Sequence, residues 1–138
     1  MKDTILAISG RPGLFRLLAQ GRGNLIVETL DAKRLRFAVG QRDRVTSLGD
    51  VSMFSDEEDV PLTQVLQNIA DKHANAPLPF THKSATEAQL LEVMEEGLPN
   101  YDRDRVHLKD MRKLVQWYNI LAQEGVTDFV EKDKETDK

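Results

Sequence analysis

The chain contains no cysteine. That removes disulfide staples, thiolate zinc sites and cysteine nucleophiles together, and it fits a reducing compartment; a cytoplasmic location is expected. Packing alone must hold the fold. Aromatic residues make up only 6% of the 138 residues, with one tryptophan, so few rings are available for a stacking surface. No window approaches the roughly 20 apolar residues of a membrane span, and no membrane partner is expected. The opening "MKDTILAISGRPG" has an apolar stretch shorter than the roughly 7 to 15 residues of an export signal, and Asp3 lies beside it. No export signal is read there.

Patterns for catalysis and metal binding are missing as well. His73, His82 and His107 fall in three different segments, with no i, i+4 pair and no H-E-x-x-H, so they do not form a zinc site. No G-x-S-x-G elbow surrounds a serine. "SGRPGL" invites comparison with a phosphate loop, but it lacks the Walker spacing, Pro12 removes an N–H donor, and a strand pattern follows it. A type II turn centred on Pro12 and Gly13 is expected instead. The acids Asp56 to Asp59 lack the turn glycine and distal glutamate of a calcium loop. They are read as a solvated loop that favours the next helix N-terminus. In "NYDRDRVHLKD" Val106 stands where a third oxygen ligand belongs. No catalytic residue, metal, cofactor or small-molecule ligand is therefore assigned, and the chain is read as non-enzymatic.

What is present is a division of charge and pattern. Net charge is −4, yet residues 1–50 hold nine Lys or Arg against five acids while the remainder holds ten against eighteen. The first part reads as strands. "GLFRLLAQ" places Phe15, Leu17 and Ala19 on one face and Leu14, Arg16 and Leu18 on the other. "GRGN" is a hairpin signature with positive φ available at Gly21, Gly23 and Asn24. "LIVETL" follows, then "KRLRFAV", with Leu35, Phe37 and Val39 opposite Arg34 and Arg36. Two short extended pieces, around Val45 and over 51–54, flank "SLGD", which suits one tight helical turn. About five short strands predict an SH3-like small β-barrel over residues 1–58.

Residues 60–129 read as helical. Leu62, Val65, Leu66 and Ile69 follow helical spacing behind Pro61. A two-proline connector precedes a second helix, opened by Ser84 and Glu87 in capping-box spacing and closed at Gly97. The longest helix, 108–124, carries Met111, Leu114, Val115, Tyr118, Leu121 and Ala122 in one stripe, which Trp117 and Ile120 widen before Gly125 stops it. Residues 131–138 are wholly polar, and a disordered tail is predicted over 130–138. The expected fold is α+β, a small barrel followed by a three-helix region.

The candidate contact face is the set Arg16, Arg22, Arg34, Arg36, Arg42 and Arg44, joined by Arg11 and Lys33 in the same half. Such a face can dock on a partner protein, on a second copy of the chain, or on the chain's own acidic half. The alternative is nucleic-acid binding, with the stripe following a phosphate backbone. Phe15 and Phe37 alternate with the arginines, which puts them on the buried side and weakens that alternative.

The stretches "ISGRPGLFRLLAQGRGNLIVETLD", "VPLTQVLQNI", "THKS" and "LPNYDRDRVHLKDMRKLVQWYNIL" together resemble an uncharacterised family, a domain of unknown function found in Bacteroidetes. The resemblance covers about residues 4–129, with "WYN", Trp117 to Asn119, as its most specific piece. Asn24 departs from the second glycine expected of the family's hairpin, which leaves the turn type open. The resemblance implies a small N-terminal β-domain joined to a helical domain in a bacterial cytoplasmic protein, and it carries over no catalytic residue.

Overall fold

The computed structural model describes residues 4–11, 13–40, 42–126 and 129. Five strands form one antiparallel sheet: β1 (Ile5–Ile8), β2 (Phe15–Gly21), β3 (Asn24–Thr29), β4 (Arg36–Gly40) and β5 (Val45–Ser47), in the order β4-β3-β2-β1-β5. β1 is the short apolar stretch near the start of the chain. Its Ile5, Leu6 and Ile8 are all buried, so it shows none of the polar alternation that marks a strand with one wet face.

The closed SH3-like barrel is not found. No ladder joins β4 to β5 among the described residues, and both remain edges of an open sheet. The physical reason lies after β5, which has only three residues before the expected tight turn, here a 3-10 turn over Leu48–Asp50. The next extended piece then leaves the sheet: β6 (Ser52–Met53) pairs with β7 (Val60–Pro61) in a separate ribbon. The open sheet nevertheless carries an apolar cluster of its own. Leu6, Ile8, Phe15, Val27 and Val39 cluster on one face with Leu17, Leu25, Phe37 and Val45, and Phe15 meets Phe37 edge to face at 5.6 Å.

A bulge between Leu17 and Ala19 explains the two-faced pattern of β2. Leu17 pairs with Val27 but Ala19 with Ile26, so Ala19 moves to the opposite face from Leu17 and the expected shared face is broken. Leu18, at the bulge, is left 40% exposed.

The helices are α1 (Leu62–Lys72), α2 (Glu87–Gly97) and α3 (Leu108–Gln123). α2 is capped two residues later than expected, at Thr86 rather than Ser84. Thr86 accepts from the Gln89 N–H and Gln89 accepts from the Thr86 N–H, while Ser84 exchanges bonds with Thr81. Gly97 also differs from its expected role. It is buried inside the helix against α1, where an added Cβ would lie 2.9 Å from Val65 Cγ1 and 3.0 Å from Ile69 Cγ1. Close helix approach requires glycine here, rather than a left-handed stop. Gly125, with φ +77°, does provide such a stop after α3.

A second, larger core joins the helices to the sheet through Ile5, Leu14, Leu30, Leu48 and Met53. The acidic loop 56–59 is exposed and held away from α1 by β7. It is tied instead to the α2–α3 connector: Asp56 N–H donates to the Asn100 carbonyl, and Asn100 Nδ2 to the Asp56 carboxylate. α3 pins the connector before α2. Tyr118 Oη donates to the Ala76 carbonyl, and Asn119 accepts from Leu78 N–H and donates to the Phe80 carbonyl. Arg112 adds bonds to the His82 and Ala85 carbonyls. Pro12 and residues 130–138, on which a turn and a tail were expected, lie outside the described residues.

Candidate interaction surface

The six arginines do not form one stripe. Strand register places Arg16, Glu28 and Arg36 opposite one another on β2, β3 and β4, hence on one face. Glu28 is buried, and its carboxylate meets Arg16 at 3.5 Å, Arg36 at 3.2 Å and Arg34 at 3.8 Å. One acid thus holds three of the candidate arginines. Arg34 reaches further, its Nη2 lying 2.7 Å from Glu124 at the end of α3. Part of the basic set therefore docks on the chain's own acidic half.

The turn that aims Arg34 is built by Asp31. Its Oδ1 accepts from Thr29 Oγ1, Lys33 N–H and Arg34 N–H at 2.8 to 3.0 Å. These bonds, the Thr29 hydroxyl first, hold its carboxyl below the usual carboxylate value. Arg34 itself takes φ +48° before β4 begins. It is therefore a turn residue rather than the strand partner of Arg36, and Leu35 beside it is 57% exposed instead of core-facing.

Arg22, Arg42 and Arg44 occupy the other end of the sheet. Arg22 lies in the β2–β3 turn, where Gly23 alone takes positive φ, at +73°. Asn24 belongs to β3 and pairs with both Gly21 and Gly40. Gly21 keeps ordinary φ, and a Cβ there would stand 2.7 Å from Asn24 Oδ1, the end of an exposed side chain that can turn away. Across from this turn, Asp43 accepts from the Gly40 N–H and donates its own N–H to the Gly40 carbonyl. A cleft of about 290 Å³ lies between the two turns, lined by Gly21, Gly23 and Asn24 on one side and by Gly40, Asp43 and Val45 on the other. Arg22, Arg42 and Arg44, next in sequence to lining residues, are exposed, and none makes a side-chain ion pair among the described residues.

Arg36 and Gly40 bound β4, four steps of about 3.3 Å apart. The paired and unpaired arginines are therefore separated by the length of a strand. Arg11 stands over the Phe37 ring at 4.5 Å and covers that face against any stacked base. Glu28 and Glu124 were not singled out from the sequence. Cross-strand register could have pointed to Glu28, but no local pattern pairs residues 34 and 124. Among the described residues no group of three or more His, Asp or Glu is placed to hold a metal ion, and no helix is long and apolar enough to cross a membrane.

Two family models match the chain. Residues 3–48 match a domain of unknown function, DUF5606, and residues 51–121 match another, DUF6852. No curated protein matches. Among solved structures, the solution NMR structure of a Bacteroides vulgatus protein, a target of the Northeast Structural Genomics Consortium, is similar with 47% identity and a TM-score of 0.75. The match spans 96% of this chain and 94% of that one.

Proposed function

The chain belongs to an uncharacterised Bacteroidetes family that joins these two domains of unknown function, and on that premise we propose that it is a non-enzymatic interaction module of the cytoplasm. Its contact surface is the turn end of the sheet, and its partner is an acidic segment of another protein or of a second copy of the chain. The open five-strand sheet is, on this reading, a relative of the SH3-like barrel that presents its loops.

One observation carries the proposal. Arg16, Arg34 and Arg36 are bound to internal acids, whereas Arg22, Arg42 and Arg44 adjoin in sequence the residues lining a cleft, Gly21, Gly23, Asp43 and Val45, and none of the three is ion-paired among the described residues. Three exposed guanidinium groups without an ion-pair partner suit an extended peptide with carboxylates. A nucleic acid would use the same charges, but among the described residues the exposed aromatic ring is that of Phe54, which follows β6 in the separate ribbon rather than the turns of the sheet.

The test is the triple variant Arg22→Glu, Arg42→Glu, Arg44→Glu, compared with wild type by crosslinking in the native cell and by sedimentation. Loss of the crosslinked protein or of self-association, with an unchanged circular dichroism spectrum, is expected. Retention of every contact by the variant refutes the proposal. Recovery of nucleic acid that is released steeply by salt would replace the protein partner with the alternative.

A further inference from the structure

The "WYN" segment of α3 divides in its uses. Tyr118 and Asn119 pin the connector before α2 by hydrogen bonds, but Trp117 makes no such bond among the described residues and is only half-buried. Its indole walls a cavity of about 260 Å³ between α3 and the β6–β7 ribbon. The floor is apolar, formed by Val51, Met53, Leu62, Val106 and Leu114. Arg105 and Lys113 stand at its rim.

The charges at the rim select the sign of a ligand. Asp110 also lines the cavity, but its Oδ2 accepts from the His107 N–H in the cap of α3. Arg105 lies 3.5 Å from Asp102. Lys113 has no carboxylate within ion-pair distance among the described residues. A cationic ligand is disfavoured because both aromatic faces already carry cations: Arg105 lies 4.9 Å above the Phe54 ring and Lys113 5.8 Å from that of Trp117. What the cavity lacks is an apolar body to fill it and a negative charge to answer Lys113.

We propose that this cavity binds a compact organic carboxylate, with its apolar body against Trp117 and Met53 and its carboxylate at Lys113. The volume lies just below the range of about 300–1,000 Å³ typical of drug-sized ligands, so a single ring on a short chain suits it. Met53, unbranched and polarizable, adapts the floor to the shape of the body. This site is separate from the arginine end of the sheet and stands or falls without it.

Trp117 is the chain's sole tryptophan, so its fluorescence reports on the cavity directly. The full chain is titrated with 4-phenylbutyrate and with its neutral amide, 4-phenylbutyramide. Saturable changes in Trp117 emission are expected for both, with the carboxylate bound about fivefold tighter, the upper range for an exposed ion pair. Lys113→Glu, an exposed helical position, reverses that preference, and Val51→Phe fills the cavity and removes the response to both compounds. The site is overturned if neither compound gives a saturable response, if acid and amide bind equally, or if Lys113→Glu leaves the preference for the acid in place.

Discussion

At the scale of single residues, Glu28 shows how a buried charge is made tolerable. Its carboxylate is taken out of water, and three guanidinium groups replace the lost hydration. Glu28→Gln keeps the shape and removes the charge, leaving Arg16 and Arg36 with a neutral acceptor. A loss of about 1–3 kcal/mol is expected, read as a lower urea midpoint at unchanged slope. Arg36→Gln, whose side chain is 69% exposed, costs less, about 0–1 kcal/mol. Equal effects of the two would deny Glu28 its place as the hub.

His82 carries a second residue-scale expectation. Burial first, then the charges of Lys83 and Arg112, lower its pKa from the ordinary 6.5. The unfolded chain therefore takes up this proton at higher pH than the folded one. Its contribution is full above 6.5 and falls as pH drops from 6.5 towards the lower folded value. Thermal midpoints at pH 7.5 and 5.5 should differ more in wild type than in His82→Asn. The backbone carbonyl that Arg112 uses is unchanged by that substitution; identical slopes would remove His82 as the cause.

At the scale of elements, the helices were legible because apolar spacing and stop signals are local. Leu62 to Ile69, the α3 stripe and Gly125 are all placed by properties of a few neighbouring residues. β1 was not, because a strand of four apolar residues, three of them buried, carries no polar alternation. The β2 bulge was equally hidden, since an extra residue is defined by what it faces on β3. Gly97 was legible as a glycine that matters, but its reason lies in α1, 28 or more residues away. Gly97→Ala tests that reason. Alanine improves helix propensity by about 1 kcal/mol, while overpacking against Val65 and Ile69 costs about 1–3 kcal/mol. A net loss of about 1 kcal/mol, or a thermal midpoint about 4 °C lower, is expected; a gain would mean the α1–α2 contact yields freely.

At the scale of the whole molecule, the charge asymmetry between the halves was plain in the composition, while its use was not. Which arginine meets which acid depends on register and on the path of the chain, so the six candidate residues could be named but not sorted. The Arg34–Glu124 contact is the sharpest case. Glu124 caps the C-terminal end of α3, where the helix dipole favours a cation, and its side chain is only 13% exposed. An acid there is unfavourable for the helix alone and becomes acceptable when Arg34 is brought to it from the sheet. The partner is aimed by Asp31 through a left-handed backbone that asparagine also tolerates. Arg34→Asn and Glu124→Gln therefore make a cycle free of new backbone strain. Each single change should cost little, Glu124→Gln least because it relieves the dipole, whereas their coupling should reach about 0.5–1 kcal/mol at low salt. Raising ionic strength should shrink that coupling, since Arg34 is 48% exposed. A coupling of zero in dilute buffer would leave the shared apolar core, from Ile5 and Leu48 to Leu66 and Leu114, to carry the attachment of sheet to helices without help from this ion pair.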